Sequence, residues 1–129
     1  MSTEKRFKLG ERVKSFSYAF RGIKTLIMSQ HNAWIHCVAT IIVILTGILL
    51  NLTRIEWAII VIVMLLVWIT EAVNTSIEFL CDLVSPEYNL LIEKAKDVAA
   101  GAVLISAIGS VIIGIIIFYP KFLTLFYSF

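Results

Sequence analysis

The chain has 129 residues, room for about one domain, with hydrophobic residues at 60%, charged residues at 16% and a formal net charge of +2. That balance excludes the ordinary water-soluble domain, because a chain this short cannot hide so much apolar surface inside one core. Cys37 and Cys81 stand in separate apolar contexts without C-x-x-C spacing, so they read as packing residues rather than as a disulfide or zinc site.

The leader comes first. Leu9, Val13, Phe16, Phe20, Ile23 and Ile27 step by four, three, four, three and four, which predicts one amphipathic helix over residues 6–30. Seven of the eleven basic residues precede the first apolar run: Lys5, Arg6, Lys8, Arg12, Lys14, Arg21 and Lys24. A basic amphipathic helix beside a span lies in the interface against anionic lipid, or packs its apolar stripe on the spanning bundle. No signal-peptide pattern and no lipidation motif is expected here. Interleaved with apolar residues and leading into a membrane, the basic stretch argues against nucleic-acid binding.

Three apolar runs follow, predicting spans at 33–50, 55–84 and 97–119. The first ends in the polar turn Asn51-Leu52-Thr53-Arg54. The second has no Pro or Gly until Pro86, so about 30 residues of helix reach some 45 Å, past the hydrocarbon thickness. Ser85-Pro86-Glu87-Tyr88-Asn89 breaks it, and the third span is expected to start at Lys96-Asp97 and stop at Tyr119-Pro120. Ala102, Ser106, Ser110 and Gly114 recur at four-residue spacing there, a seam for close helix approach. The predicted fold class is therefore all-α integral membrane, with an N-terminal amphipathic surface helix plus three transmembrane helices. By the positive-inside rule its N-terminus is inside.

The second span carries the chemistry. Glu71, Asn74, Glu78 and Asp82 are three, four and four residues apart and line one helix face. Stacked carboxylates at a membrane boundary repel one another and cost desolvation energy, so something positive must compensate. Carboxylates with an amide are hard oxygen ligands and suit Mg²⁺, which leaves its other positions to water and phosphate. Lys96-Asp97 lies at the same predicted depth, and a lysine there reaches phosphate oxygens. Metal ligand, phosphate-binding lysine and spare carboxylate together make the parts of a phosphoryl-transfer site. A proton or cation transporter, a non-catalytic scaffold, and a merely solvated acidic helix end remain open at this level. His31 and His36, near the start of the first span, read as interfacial polar residues. No Walker A sequence, kinase glycine loop or G-x-S-x-G elbow occurs.

Glu71-Ala-Val-Asn-Thr-Ser-Ile-Glu78, then Asp82, Ser85-Pro-Glu-Tyr88 and Ala95-Lys-Asp-Val-Ala-Ala-Gly-Ala-Val103, resembles the prokaryotic diacylglycerol kinase family, which includes undecaprenol kinases. The likeness covers leader, three spans and the order of motifs. It implies a homotrimer in the bacterial inner membrane with active sites shared between chains, opening to the cytoplasm. The reaction it implies is transfer of the ATP γ-phosphate, with Mg²⁺, to a lipid hydroxyl: diacylglycerol to phosphatidic acid, or undecaprenol to its phosphate. By the same resemblance Glu71 is the general base and contacts the lipid, with Ala100 also at the lipid site. Asn74 and Glu78 serve nucleotide and metal, and Lys96 with Asp97 binds ATP. Tyr18 contacts the nucleotide from the leader, and Glu87, Tyr88 and Asn89 lie near it.

Two positions depart from the family pattern. Gln30 stands where a second metal-binding glutamate is usual; its amide oxygen can ligate Mg²⁺ but brings no charge, which leaves the number of metal ions open. Glu11 falls where an arginine is often found, with Arg12 beside it. The spacing agrees with the division of labour: Glu71 at the inner interface, where a lipid alcohol sits, and Glu78 two turns, about 10.8 Å, further along.

Overall fold

The computed structural model describes residues 9–85 and 87–127; Lys5, Arg6 and Lys8 of the leader, and Pro86, lie outside them. Four helices run in order: α1 (Leu9–Ser29), α2 (His31–Leu49), α3 (Arg54–Val84) and α4 (Leu90–Tyr127). The last three are long and apolar enough to cross a membrane. At 1.5 Å per residue they extend about 28, 46 and 57 Å, so α3 and α4 outrun a hydrocarbon core of about 30 Å. Their outward side chains, Ile41, Ile42, Leu45, Ile62, Ile105 and Ile116 among them, are exposed on the single chain, as helices solvated by lipid require.

The turn between α2 and α3 is closed by local hydrogen bonds. Leu52 N–H donates to the Gly47 carbonyl and Asn51 N–H to that of Ile48, the six-to-one and five-to-two pattern that terminates a helix. That pattern needs a left-handed residue, and Asn51 supplies it at φ 49°. Leu52 turns its side chain into the core, and Thr53 caps α3. The Thr53 hydroxyl accepts from Glu56 N–H at 3.4 Å while the Glu56 carboxylate accepts from Thr53 N–H at 2.6 Å, a reciprocal capping box. Trp57 lies against Gly47 so closely that a Cβ there would sit 2.7 Å from its ring. Leu52, Ile60 and Ile117 form the buried cluster at this end of the bundle.

α3 and α4 make the most extensive pairing, and it is antiparallel. Lys121 meets Glu56, Ser110 meets the Val63 carbonyl, Ser106 meets Thr70 and Lys96 meets Asp82, one helix ascending as the other descends. The four-residue seam is realised at its middle. Ser106 is buried, with its hydroxyl 2.8 Å from that of Thr70, and Ser110 donates to the Val63 carbonyl at 3.2 Å. Ala102 is exposed, by contrast. α2 leans away from α4 and leaves a groove of about 650 Å³, walled by Ile35, His36, Val67, Trp68, Val111 and Phe118 among others.

The helix that carries the third span extends beyond 97–119 at both ends. Its start is seven residues earlier because Asn89 caps it: the Asn89 side-chain oxygen accepts from Leu91 N–H at 2.9 Å. It runs through Pro120, where one backbone donor is missing. The apolar Phe122, Leu123, Leu125 and Phe126 continue it, and Lys121 ties it to Glu56 at 3.0 Å and to the Asn51 carbonyl at 3.5 Å. α2 and α3 begin and end within two residues of the first two apolar runs. α1 stops at Ser29, one residue short, so that Gln30 is the N-cap residue of α2. Of its stripe, Val13, Phe16, Phe20 and Ile23 are exposed, so the stripe is not packed on this chain's own bundle; neighbouring Leu26 makes the buried contact.

Asn51→Val, which places a β-branched residue in the left-handed region, is expected to cost about 1–2 kcal/mol, whereas Asn51→Gly is expected to be within about 0.5 kcal/mol of the parent. Equilibrium unfolding in detergent micelles measures both.

Candidate functional site

Three clusters occupy the ends of α2 and α3 remote from the Asn51 turn, and the inner turns of α4. The first centres on Glu71, on the face of α3 turned into the bundle, whose side chain is 1% exposed. Neither of its carboxylate oxygens has a hydrogen-bond partner in the chain. The nearest polar atom that could carry positive charge is His36 Nε2 on α2, at 3.8 Å, and it too is buried and unpartnered. His36 meets the Trp68 ring edge-on at 6.0 Å, and the Trp68 indole N–H donates to the Thr40 hydroxyl at 3.1 Å. Burying a carboxylate without a partner costs several kcal/mol. A chain keeps such a group for something that arrives later.

Two turns further on, the second cluster surrounds Glu78. Gln30 Nε2 donates to one of its oxygens at 3.0 Å and Asn74 Nδ2 to the other at 3.0 Å. Asn74 and Thr75 are buried, and Asn74 Oδ1 and the Thr75 hydroxyl have no partner in the chain. The helix break places Gln30 here: ending α1 at Ser29 and opening α2 at His31 leaves an extended residue, free of side-chain capping, that reaches across to α3. This donor set of one carboxylate and two amides is hard and incomplete. Among the described residues no three His, Cys, Asp or Glu side chains converge as a cage. Such a set fits a magnesium ion that keeps phosphate oxygens and water as its other ligands, and it does not fit zinc.

The third cluster is the ion pair of Lys96 Nζ with Asp82 Oδ1 at 2.5 Å. It lies toward solvent, with the Asp82 side chain 66% exposed. The acidic face is therefore graded, from sealed at Glu71 to open at Asp82, which excludes a uniformly solvated helix end.

The remaining expected site residues are not drawn into these clusters within one chain. Tyr18 is exposed on α1 with the Arg21 guanidinium 4.8 Å above its ring. Glu87 accepts from the Ser85 hydroxyl through its backbone carbonyl, and Asn89 caps α4. Tyr88 donates to the Glu93 carboxylate at 2.8 Å, which pushes its phenol above the ordinary range. Asp97 and Ala100 are exposed on α4. Conversely, His36 belongs to the site although its position suggested an interfacial polar residue. The signal available was its location inside an apolar span, where an ionisable side chain is costly without a purpose.

Residues 17–118 match the family described as prokaryotic diacylglycerol kinase. The chain is 39% identical over 120 residues to an undecaprenol kinase of Bacillus subtilis, covering 93% of this chain and 98% of that one. It is 40% identical over 112 residues to a diacylglycerol kinase of Synechocystis, covering 86% of this chain and 64% of the relative. A diacylglycerol kinase of Escherichia coli is 27% identical over 110 residues, 85% of this chain and 90% of that one. The match spans all three membrane helices and every cluster just described, so the chain belongs to the prokaryotic diacylglycerol kinase family and is a membrane lipid kinase.

Proposed function

We propose that this enzyme transfers the γ-phosphate of ATP, with Mg²⁺, to the hydroxyl of undecaprenol, at the cytoplasmic face of a bacterial inner membrane. The observation that carries the reading is Glu71: a sealed carboxylate with both oxygens unpartnered, facing His36 at the wall of an apolar groove. Such a group is a base waiting for a hydroxyl. The lipid hydroxyl donates to Glu71 and gives up its proton as its oxygen bonds to the γ-phosphorus. The bond from that phosphorus to the bridging oxygen breaks, and ADP leaves with the electron pair.

At the nucleotide end Glu78, whose oxygens accept from the amide nitrogens of Gln30 and Asn74, would hold the metal together with the unpartnered Asn74 oxygen and the Gln30 amide. Held there, Mg²⁺ would supply positive charge to the phosphate oxygens. Lys96 contacts phosphate after leaving Asp82, and Asp97 assists. Tyr18, Glu87, Tyr88 and Asn89, exposed on one chain, meet nucleotide in a homotrimer whose sites are shared between neighbours, and Ala100 contacts lipid. The unpacked apolar stripe of α1 lies in the membrane interface, its basic residues toward anionic headgroups.

Undecaprenol is favoured over diacylglycerol by one observation: the relative matched over 98% of its own length is named an undecaprenol kinase. Turnover measured side by side in mixed micelles is expected to be at least tenfold faster on undecaprenol; equal or reversed rates sink the substrate assignment, and no label transfer from ATP to either lipid sinks the reaction.

Glu71→Gln is expected to lower kcat by about 10²–10⁴-fold with little change in KM for ATP. Gln30→Glu restores a second charge beside Glu78, so the Mg²⁺ concentration giving half-maximal rate should fall several-fold, and Glu78→Gln should raise it. A Mg²⁺ titration indistinguishable across the three proteins would remove both residues from the metal site.

A further inference from the structure

Burial leaves Glu71 with a problem that the proposed reaction does not solve. A base must be aimed at the hydroxyl it receives, yet nothing hydrogen-bonds to either oxygen of Glu71. The polar side chain that faces it is His36, from α2, whose Nε2 lies at 3.8 Å, within ion-pair range and beyond a good hydrogen bond. Lys96, from α4, is committed to Asp82.

The imidazole is held there from behind. Thr40 fixes the Trp68 indole, and Trp68 abuts His36 edge-on, so the ring cannot swing away from α3 without losing both contacts. His36 also lines the groove beside Glu71. We propose that His36 is a positioning residue for phosphoryl transfer: its imidazole, aimed by Trp68 and Thr40, holds the Glu71 carboxylate turned toward the arriving lipid hydroxyl. The hydroxyl proton ends on Glu71. His36 neither touches phosphate nor exchanges a proton with the lipid. The inference rests on the reading of Glu71 as the base.

The consequence is a split between kcat and KM. His36→Ala removes the ring that aims Glu71, and kcat should fall by about tenfold or more while KM for ATP stays within about twofold; His36→Gln, which keeps an N–H at a similar reach, should recover part of the rate. Infrared spectroscopy gives an independent measure. The carboxyl bands of Glu71, assigned by their loss in Glu71→Gln, should shift in His36→Ala.

His36→Asn serves if His36→Gln lowers helicity or melting temperature. An unchanged rate, an equal loss carried by KM for ATP, or unchanged Glu71 bands overturns the role of His36. If Glu71→Gln is inert under these outcomes, the base assignment survives and only this inference fails. If Glu71→Gln turns over normally, both fall.

Discussion

The contact of the Thr70 and Ser106 hydroxyls, 2.8 Å apart in the middle of the α3–α4 pair, sets the geometry of everything functional here. Two helices can approach this closely only where small side chains face each other, and in lipid the hydroxyls must find partners within the protein. Ser110 adds a second bond, to the Val63 carbonyl, and together they fix the register of α4 along α3. Register then decides the ends. Lys96 arrives opposite Asp82 at one, and Lys121 opposite Glu56 at the other. Thr70 is followed directly by Glu71, so the same contact that locks the helices also turns Glu71 toward α2.

From there the chemistry is graded by water. Glu71 is sealed, Glu78 is half-buried between two amides, and Asp82 stands in solvent with Lys96. Carboxylates four residues apart on a helix would otherwise behave alike. Distinct surroundings give them distinct roles in the proposed transfer: base at the lipid, ligand at the metal, latch on the lysine. The desolvation cost at Glu71 is borne by the tight turn at the far end of the bundle. There, a left-handed Asn51, a capping box and the Leu52, Ile60 and Ile117 cluster hold α2 beside α3. Only with α2 held there is His36 across from Glu71.

Much of this was legible in advance, because helical periodicity is written along the chain. Glu71, Asn74 and Glu78 share a face by spacing alone, and the small residues of α4 announce a seam in the same way. Spans one and two have sharp ends in the sequence because polar residues and Pro86 bound them. The ends of α4 are less legible. A proline is a strong stop by propensity, but an apolar tail and a lysine anchored 65 residues away at Glu56 outweigh one missing donor. His36 was overlooked for the same reason: nothing within four residues of it marks it as anything but a polar side chain near an interface.

Composition, hydropathy and the Glu71–Asp82 motif by themselves determined that this is a three-span membrane protein and which helix face carries its acids, since these depend on local pattern and on the bilayer's demand for satisfied backbones. Tertiary structure alone decided which acid is sealed and which is wet. It also brought Gln30 to Glu78 and His36 to Glu71, 48 residues apart in one case and 35 in the other. Desolvation and charge pairing act through space. Local sequence pattern contains neither until α2 is folded against α3.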